Sequence, residues 1–90
     1  MRVPIEDFEG QEVERVYFTA SVQEAERIEA ILDPSPFVYT IEPENTFGFL
    51  GRGVGIAFLV SPGTARGCKE FLAENGFTAG LEGSDEEADG

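Results

Sequence analysis

The run Val54-Gly-Ile-Ala-Phe-Leu-Val60 constrains this chain more than any other seven residues. It is almost wholly apolar and does not alternate, which suits a strand covered by other structure rather than one with a wet face. Ser61-Pro-Gly-Thr64 breaks the run, and Gly48-Phe-Leu-Gly51-Arg-Gly53-Val-Gly55 leads into it. Turn and breaker residues therefore bound it on both sides. Ninety residues allow one domain to be built around this central strand.

The rest of the pattern supplies partners for it. Val13–Thr19 is rich in β-branched and aromatic residues, and strict alternation sets Val16, Phe18 and Ala20 on one face against Arg15, Tyr17 and Thr19 on the other. Ser21-Val-Gln-Glu24 is a capping box, with Ser21 accepting from the first turn and Glu24 reaching back to the cap's own N–H. The helix that follows places Val22, Ala25, Ile28, Ile31 and Leu32 along one stripe, and Asp33-Pro-Ser-Pro36 ends it. Phe37–Ile41 reads as a second strand closed by Pro43. After the apolar run, a second helix aligns Ala65, Cys68, Phe71 and Leu72, and Asn75-Gly76 supplies a left-handed stop.

The order is β-α-β-β-α, with Phe77–Leu81 as a candidate last strand. A right-handed crossover puts the first two strands parallel with a gap between them, and the hairpin returns the apolar strand into that gap. The fold class expected is α+β, a ferredoxin-like split arrangement with two helices on one face of an antiparallel sheet. Residues 1–11 read as a loosely held acidic arm, although Val3, Ile5 and Phe8 could dock; residues 12–81 read as the domain and 82–90 as a disordered acidic tail. If Phe77–Leu81 fails to pair with the first strand, that strand is an open edge that should recruit a second subunit.

Charge narrows the partners. Eighteen acids face six bases, for a net charge of −12. Thr78–Gly90 holds five of those acids and no base, which leaves −7 on the remainder. Nucleic acid and anionic membrane surfaces are excluded as expectations, because both require clustered Lys and Arg, whereas a basic protein partner fits. A single cysteine permits no internal disulfide, and no signal-like or membrane-spanning apolar stretch is present, so the expected location is the cytoplasm.

Two segments, VYFTASVQEAERIEAIL and IAFLVSPGTARGCKEFL, resemble the halves of a small bacterial family described as prokaryotic signal-transducing proteins. The likeness covers about residues 13–75 and rests on apolar patterning, Glu24-Ala25 and Pro62. That family is similar in fold to the nitrogen-sensing PII proteins, which form trimers and bind nucleotides and partner proteins. The resemblance implies a ferredoxin-like domain that acts by binding, in bacterial regulation, as a dimer or trimer.

Candidate sites follow from the remaining features. The glycine stretch 48–55 lacks the helix and the Gly-Lys-Ser/Thr of a phosphate loop. PII-like proteins carry a similar rhythm, roughly I-G-D-G-K-I-F-V, before a strand, although here Arg52 replaces the acid and Val54 the lysine. Gly51, Arg52 and Gly53 are accordingly candidates for anion or nucleotide binding, the alternative being a mobile hairpin connection. Thr64 and Arg66, at the start of the second helix, are further anion candidates, with Thr64 as an ordinary cap the plainer reading. Phe47, Phe49 and Leu50 are large apolar residues in a glycine-rich connection, and either fold onto the core or present an interaction surface.

Little supports chemistry. With no His and one Cys, zinc ligation has no donor set, the acidic tail lacks calcium-loop spacing, and no cofactor or metal is expected. Cys68 falls on an apolar helix stripe without a base to activate it, and reads as a core residue rather than a nucleophile. The sequence thus points to a small non-enzymatic regulatory or protein-interaction domain, with a small-ligand sensor using residues 48–55 as the alternative.

Overall fold

The apolar run lies at the centre of a three-stranded antiparallel sheet in the computed structural model, which describes residues 1–48 and 51–82. The elements are β1 (Glu14–Thr19), α1 (Val22–Leu32), β2 (Thr40–Gly48), β3 (Gly51–Val60) and α2 (Pro62–Glu74), preceded by a 3₁₀ turn at Ile5–Phe8. The sheet order is β1-β3-β2, with β3 antiparallel to both neighbours. This is the β-α-β-β-α arrangement expected of a ferredoxin-like α+β domain.

Alternation along β3 explains its composition. Phe58 and Val60 join the helix-facing core with Ala25, Ile28, Leu32, Ala65, Cys68 and Leu72. Ala57 and Leu59 point to the opposite face and are buried as well. Residues 57–60 are thus enclosed on both faces and can be apolar without alternation. Val54, expected within the covered run, is exposed instead, because β1 ends opposite Ile56 and, among the described residues, nothing on that side accompanies β3 further.

β1 departs from strict alternation. Arg15 is opposite Leu59 and Tyr17 is opposite Phe58, so Val16 is an extra residue in the ladder. The bulge brings Val16 and Tyr17 together into the core, and it leaves Arg15 and Phe18 on the opposite face. The expected partition, with Phe18 beside Val16 and Tyr17 beside Arg15, is therefore corrected by one inserted position. The Arg15 guanidinium sits 5.4 Å above the Phe18 ring.

Both helices are bounded by local chemistry. Ser21 caps α1 by accepting from the Glu24 N–H at 3.0 Å. The reciprocal half of the capping box is absent: the Ser21 N–H donates to Thr19 Oγ1, and the Glu24 carboxylate accepts from the Tyr17 hydroxyl. Val22, expected in the apolar stripe, is exposed. It lies roughly 90° around the helix from the centre of Ala25, Ile28 and Leu32, at 3.6 residues per turn. α2 ends as its sequence indicates, with Gly76 at a φ of 90°, Gly76 N–H bonded to Ala73 O and Phe77 N–H to Leu72 O.

The two terminal segments close parts of the sheet edges. Tyr39 N–H donates to Met1 O and Val3 N–H to Tyr39 O, forming a parallel bridge between Arg2 and Tyr39. The 3₁₀ turn then lies against β2 with Phe8 buried. At the other edge, Phe18 N–H donates to Gly80 O and Glu82 N–H to Val16 O, around an antiparallel bridge between Tyr17 and Leu81. Residues 77–82 thus make one bridge rather than a strand, in the position a fourth strand would take. The condition under which β1 would need a second subunit is not met along this stretch.

Candidate functional site

β2 and β3 are longer than the sequence indicates. β2 runs from Thr40 through Pro43 to Gly48, rather than closing at Ile41. Pro43 is accommodated because β2 is an edge strand, where a missing N–H on the unpaired side costs no ladder bond. β3 begins at Gly51, so Gly51–Gly55 is strand and not loop, with Gly48 opposite Gly51, Thr46 opposite Gly53 and Glu44 opposite Gly55. Beyond the last β1 pair, Thr19 with Ile56, the two strands continue as a ribbon past the end of β1.

That pairing disperses the backbone donors of Gly51, Arg52 and Gly53. In an antiparallel ladder successive N–H groups point to alternate sides, whereas an anion cradle needs them convergent. Thr64 and Arg66 lie beyond the other end of β3. From Arg52 to Val60 the strand spans roughly 26 Å at 3.3 Å per residue. The five candidate anion-binding residues therefore do not form one site. Thr64 is not the cap of α2, a position held by Ser61; its hydroxyl is 2.7 Å from the Ser61 hydroxyl. Arg66 is exposed and pairs with Glu70 one turn on, at 3.5 Å. Of the candidate apolar surface, Phe47 is opposite Arg52 in the ladder, while Phe49 and Leu50 lie outside the described residues.

An arrangement the sequence did not single out occupies the sheet face away from the helices. Arg15 pairs with Glu44 of β2 and, through Nε at 2.9 Å, with Glu82 of the carboxy-terminal segment. Its guanidinium also stacks on Phe18, whose ring lies over Gly55 of the intervening strand. Lys69 of α2 reaches Glu14 at 3.4 Å on the other face. The only sequence signal for this cluster is an arginine inside a hydrophobic strand, and its partners are 29 and 67 positions away.

Among the described residues, the titrating groups with a shift are one thiol and two phenols. Burial pushes the Cys68 thiol up to about 11, away from the reactive thiolate. Burial also raises the phenols of Tyr17 and Tyr39, helped by hydrogen bonds to the carboxylates of Glu24 and Asp33. Among the described residues, no group of three His, Cys, Asp or Glu is placed to hold a metal, and no helix is long and apolar enough to cross a membrane. A concavity of about 320 Å³ lies over the amino-terminal segment, lined by Ile5, Glu6, Phe8, Glu9, Gln11 and Val13.

Among the described residues, the outer edge of β2 is paired only at its start. Tyr39 is bonded to Met1 and Val3, but from Ile41 to Gly48 no further strand pairs with that side among the described residues. Backbone groups alternate between the two sides of a strand, so Ile41, Pro43, Asn45 and Phe47 turn outward, as Tyr39 does, while the residues between them turn to β3. Over about 26 Å of strand the outer edge thus offers three N–H donors and four carbonyls, Pro43 having no N–H. No protein-family model, curated protein or solved structure matches the chain, so the likeness to prokaryotic signal-transducing proteins rests on the quoted residues alone.

Proposed function

We propose that this chain is a small non-enzymatic protein-interaction domain that acts by adding a partner's extended segment to the outer edge of β2. The observation that carries the proposal is the contrast between the two sides of the sheet. The β1 edge is occupied at residues 80–82, whereas the outer side of β2 has no strand partner from Ile41 to Gly48 among the described residues. Strand addition draws affinity from main-chain hydrogen bonds and selectivity from alternate side chains, and needs no cofactor. A regulatory role of the kind the family resemblance implies is consistent with a domain that binds and does no chemistry.

The test is selection of random octapeptides on the immobilised chain, followed by amide hydrogen exchange with each selected peptide. New protection of the outward amides, those of Ile41, Asn45 and Phe47, is the expected result. Binders that leave those amides unprotected, or no binders at all, would remove the proposal. Light scattering across concentration shows whether a second copy is itself a partner.

A further inference from the structure

We infer that the segment recognised at the β2 edge is basic, with cationic side chains two residues apart; this rests on the strand-addition reading above. Glu42 and Glu44 lie two positions apart on β2, opposite Ala57 and Gly55, and so project from the same face of the sheet. Glu42 is exposed, and Glu44 is half-buried against Arg15. The 3₁₀ turn packed against β2 adds exposed Glu6, Asp7 and Glu9. An incoming strand with Lys or Arg at positions i and i+2 would face Glu42 and Glu44 across the new ladder, where opposite charges on paired strands attract.

The same acids reject a second copy. Self-addition about a two-fold axis lays another Glu42 and Glu44 along the same face, between chains that each carry −12. Like charges across a strand pair destabilise it, and Pro43 removes one backbone donor from the edge. An acidic edge with a proline is therefore closed to its own kind and open to the opposite charge, which is how selectivity arises from repulsion as much as attraction.

The probe is an N-acetylated decapeptide alternating lysine with valine, compared with a glutamate–valine peptide of the same length. Two further versions are N-methylated at the odd or at the even residues, which preserves charge and removes the donors of one peptide edge. The expected result is protection of the Ile41, Asn45 and Phe47 amides by the lysine peptide, abolished by methylation in one register only. Glu42→Gln should weaken it about tenfold, while Glu70→Gln, a charge-matched control on α2, should not. Equal loss with Glu70→Gln, or binding that survives methylation in both registers, would mark plain attraction to an acidic surface and overturn the inference. Protection by the glutamate peptide equal to that by the lysine peptide would overturn the basic partner while leaving strand addition standing. No protection by any peptide would overturn both.

Discussion

The ring of Phe18 lies against the backbone of Gly55 so closely that a Cβ at residue 55 would stand 2.0 Å from Phe18 Cζ and 2.5 Å from Cε1. Glycine on the central strand is thus what allows an aromatic side chain from β1 to cross it, with Arg15 stacked above. Gly55→Ala should force the ring off the strand and cost about 1–3 kcal/mol, outweighing the smaller gain from replacing a strand glycine. Urea denaturation checks the loss. Combining it with Phe18→Ala should recover part of it, because the clash disappears with the ring. Strictly additive losses would show that the two residues do not meet.

Gly80 is the corresponding point on the β1 edge. A Cβ there would lie 2.0 Å from the carbonyl oxygen of Phe18 and 2.7 Å from Tyr17 Cε1. A backbone oxygen cannot rotate away as a ring can, so Gly80→Ala should lift residues 80–82 from β1. The amides of Phe18 and Glu82, bonded to Gly80 O and Val16 O, should then exchange faster by hydrogen–deuterium exchange. Unchanged protection at both positions would count against the bridge.

Arg15 ties β2 and the carboxy-terminal segment to one face of the sheet. Its ion pairs are about one-third exposed, so solvent screens them. Arg15→Gln should cost about 1 kcal/mol, from the two pairs and the contact with Phe18 together. The ionic share of that loss should shrink at about 1 M salt. A deficit independent of salt would assign the residue a packing role alone.

Alkaline pH should destabilise the fold. The thiol of Cys68 is pushed by burial from its ordinary value near 9 up to about 11, and Tyr17 and Tyr39 are raised above 10, chiefly by burial. In each case the unfolded chain loses its proton first. The contribution is fully present below the unfolded pKa and is lost as pH rises through the folded one. Urea midpoints should hold up to about pH 9 and fall between pH 9 and 11, less steeply in Cys68→Ala. A midpoint that is flat or rising over that window would contradict these burials. At neutral pH, Tyr39→Phe should cost about 1–2 kcal/mol by removing the 2.7 Å bond to Asp33.

Much of the fold is written locally. The Ser21 cap, the stop at Asp33-Pro-Ser-Pro36, the Asn75-Gly76 terminus and the apolar stripes of both helices depend on residues within a few positions of one another. Pattern reading recovers such signals because their physics is short-range. The same reading stopped β2 at Pro43 and treated glycines 48–55 as a loop. Proline and glycine break strands on average, yet both are accommodated when a paired neighbour supplies the ladder and the unpaired side faces out. The bulge at Val16 was equally hidden, since it is a property of two strands in register and not of either alone.

The candidate site divides in the same way. Glycines at 51 and 53, an arginine between them and a helix start at Pro62 were visible in the chain, but whether they converge depends on where β3 runs. The strand separates them by its own length. Sequence alone determined that the end of β3 at residues 57–60 is buried, that two helices with apolar stripes cover one face, and that the chain is strongly acidic, because burial pattern and charge are carried residue by residue. Only the tertiary structure decided that 80–82 occupy the β1 edge, that Arg15 joins Glu44 to Glu82, and that the outer side of β2 from Ile41 to Gly48 has no strand partner among the described residues. Edges and long-range pairs exist only once distant segments have met, and no local preference encodes which of them remains free.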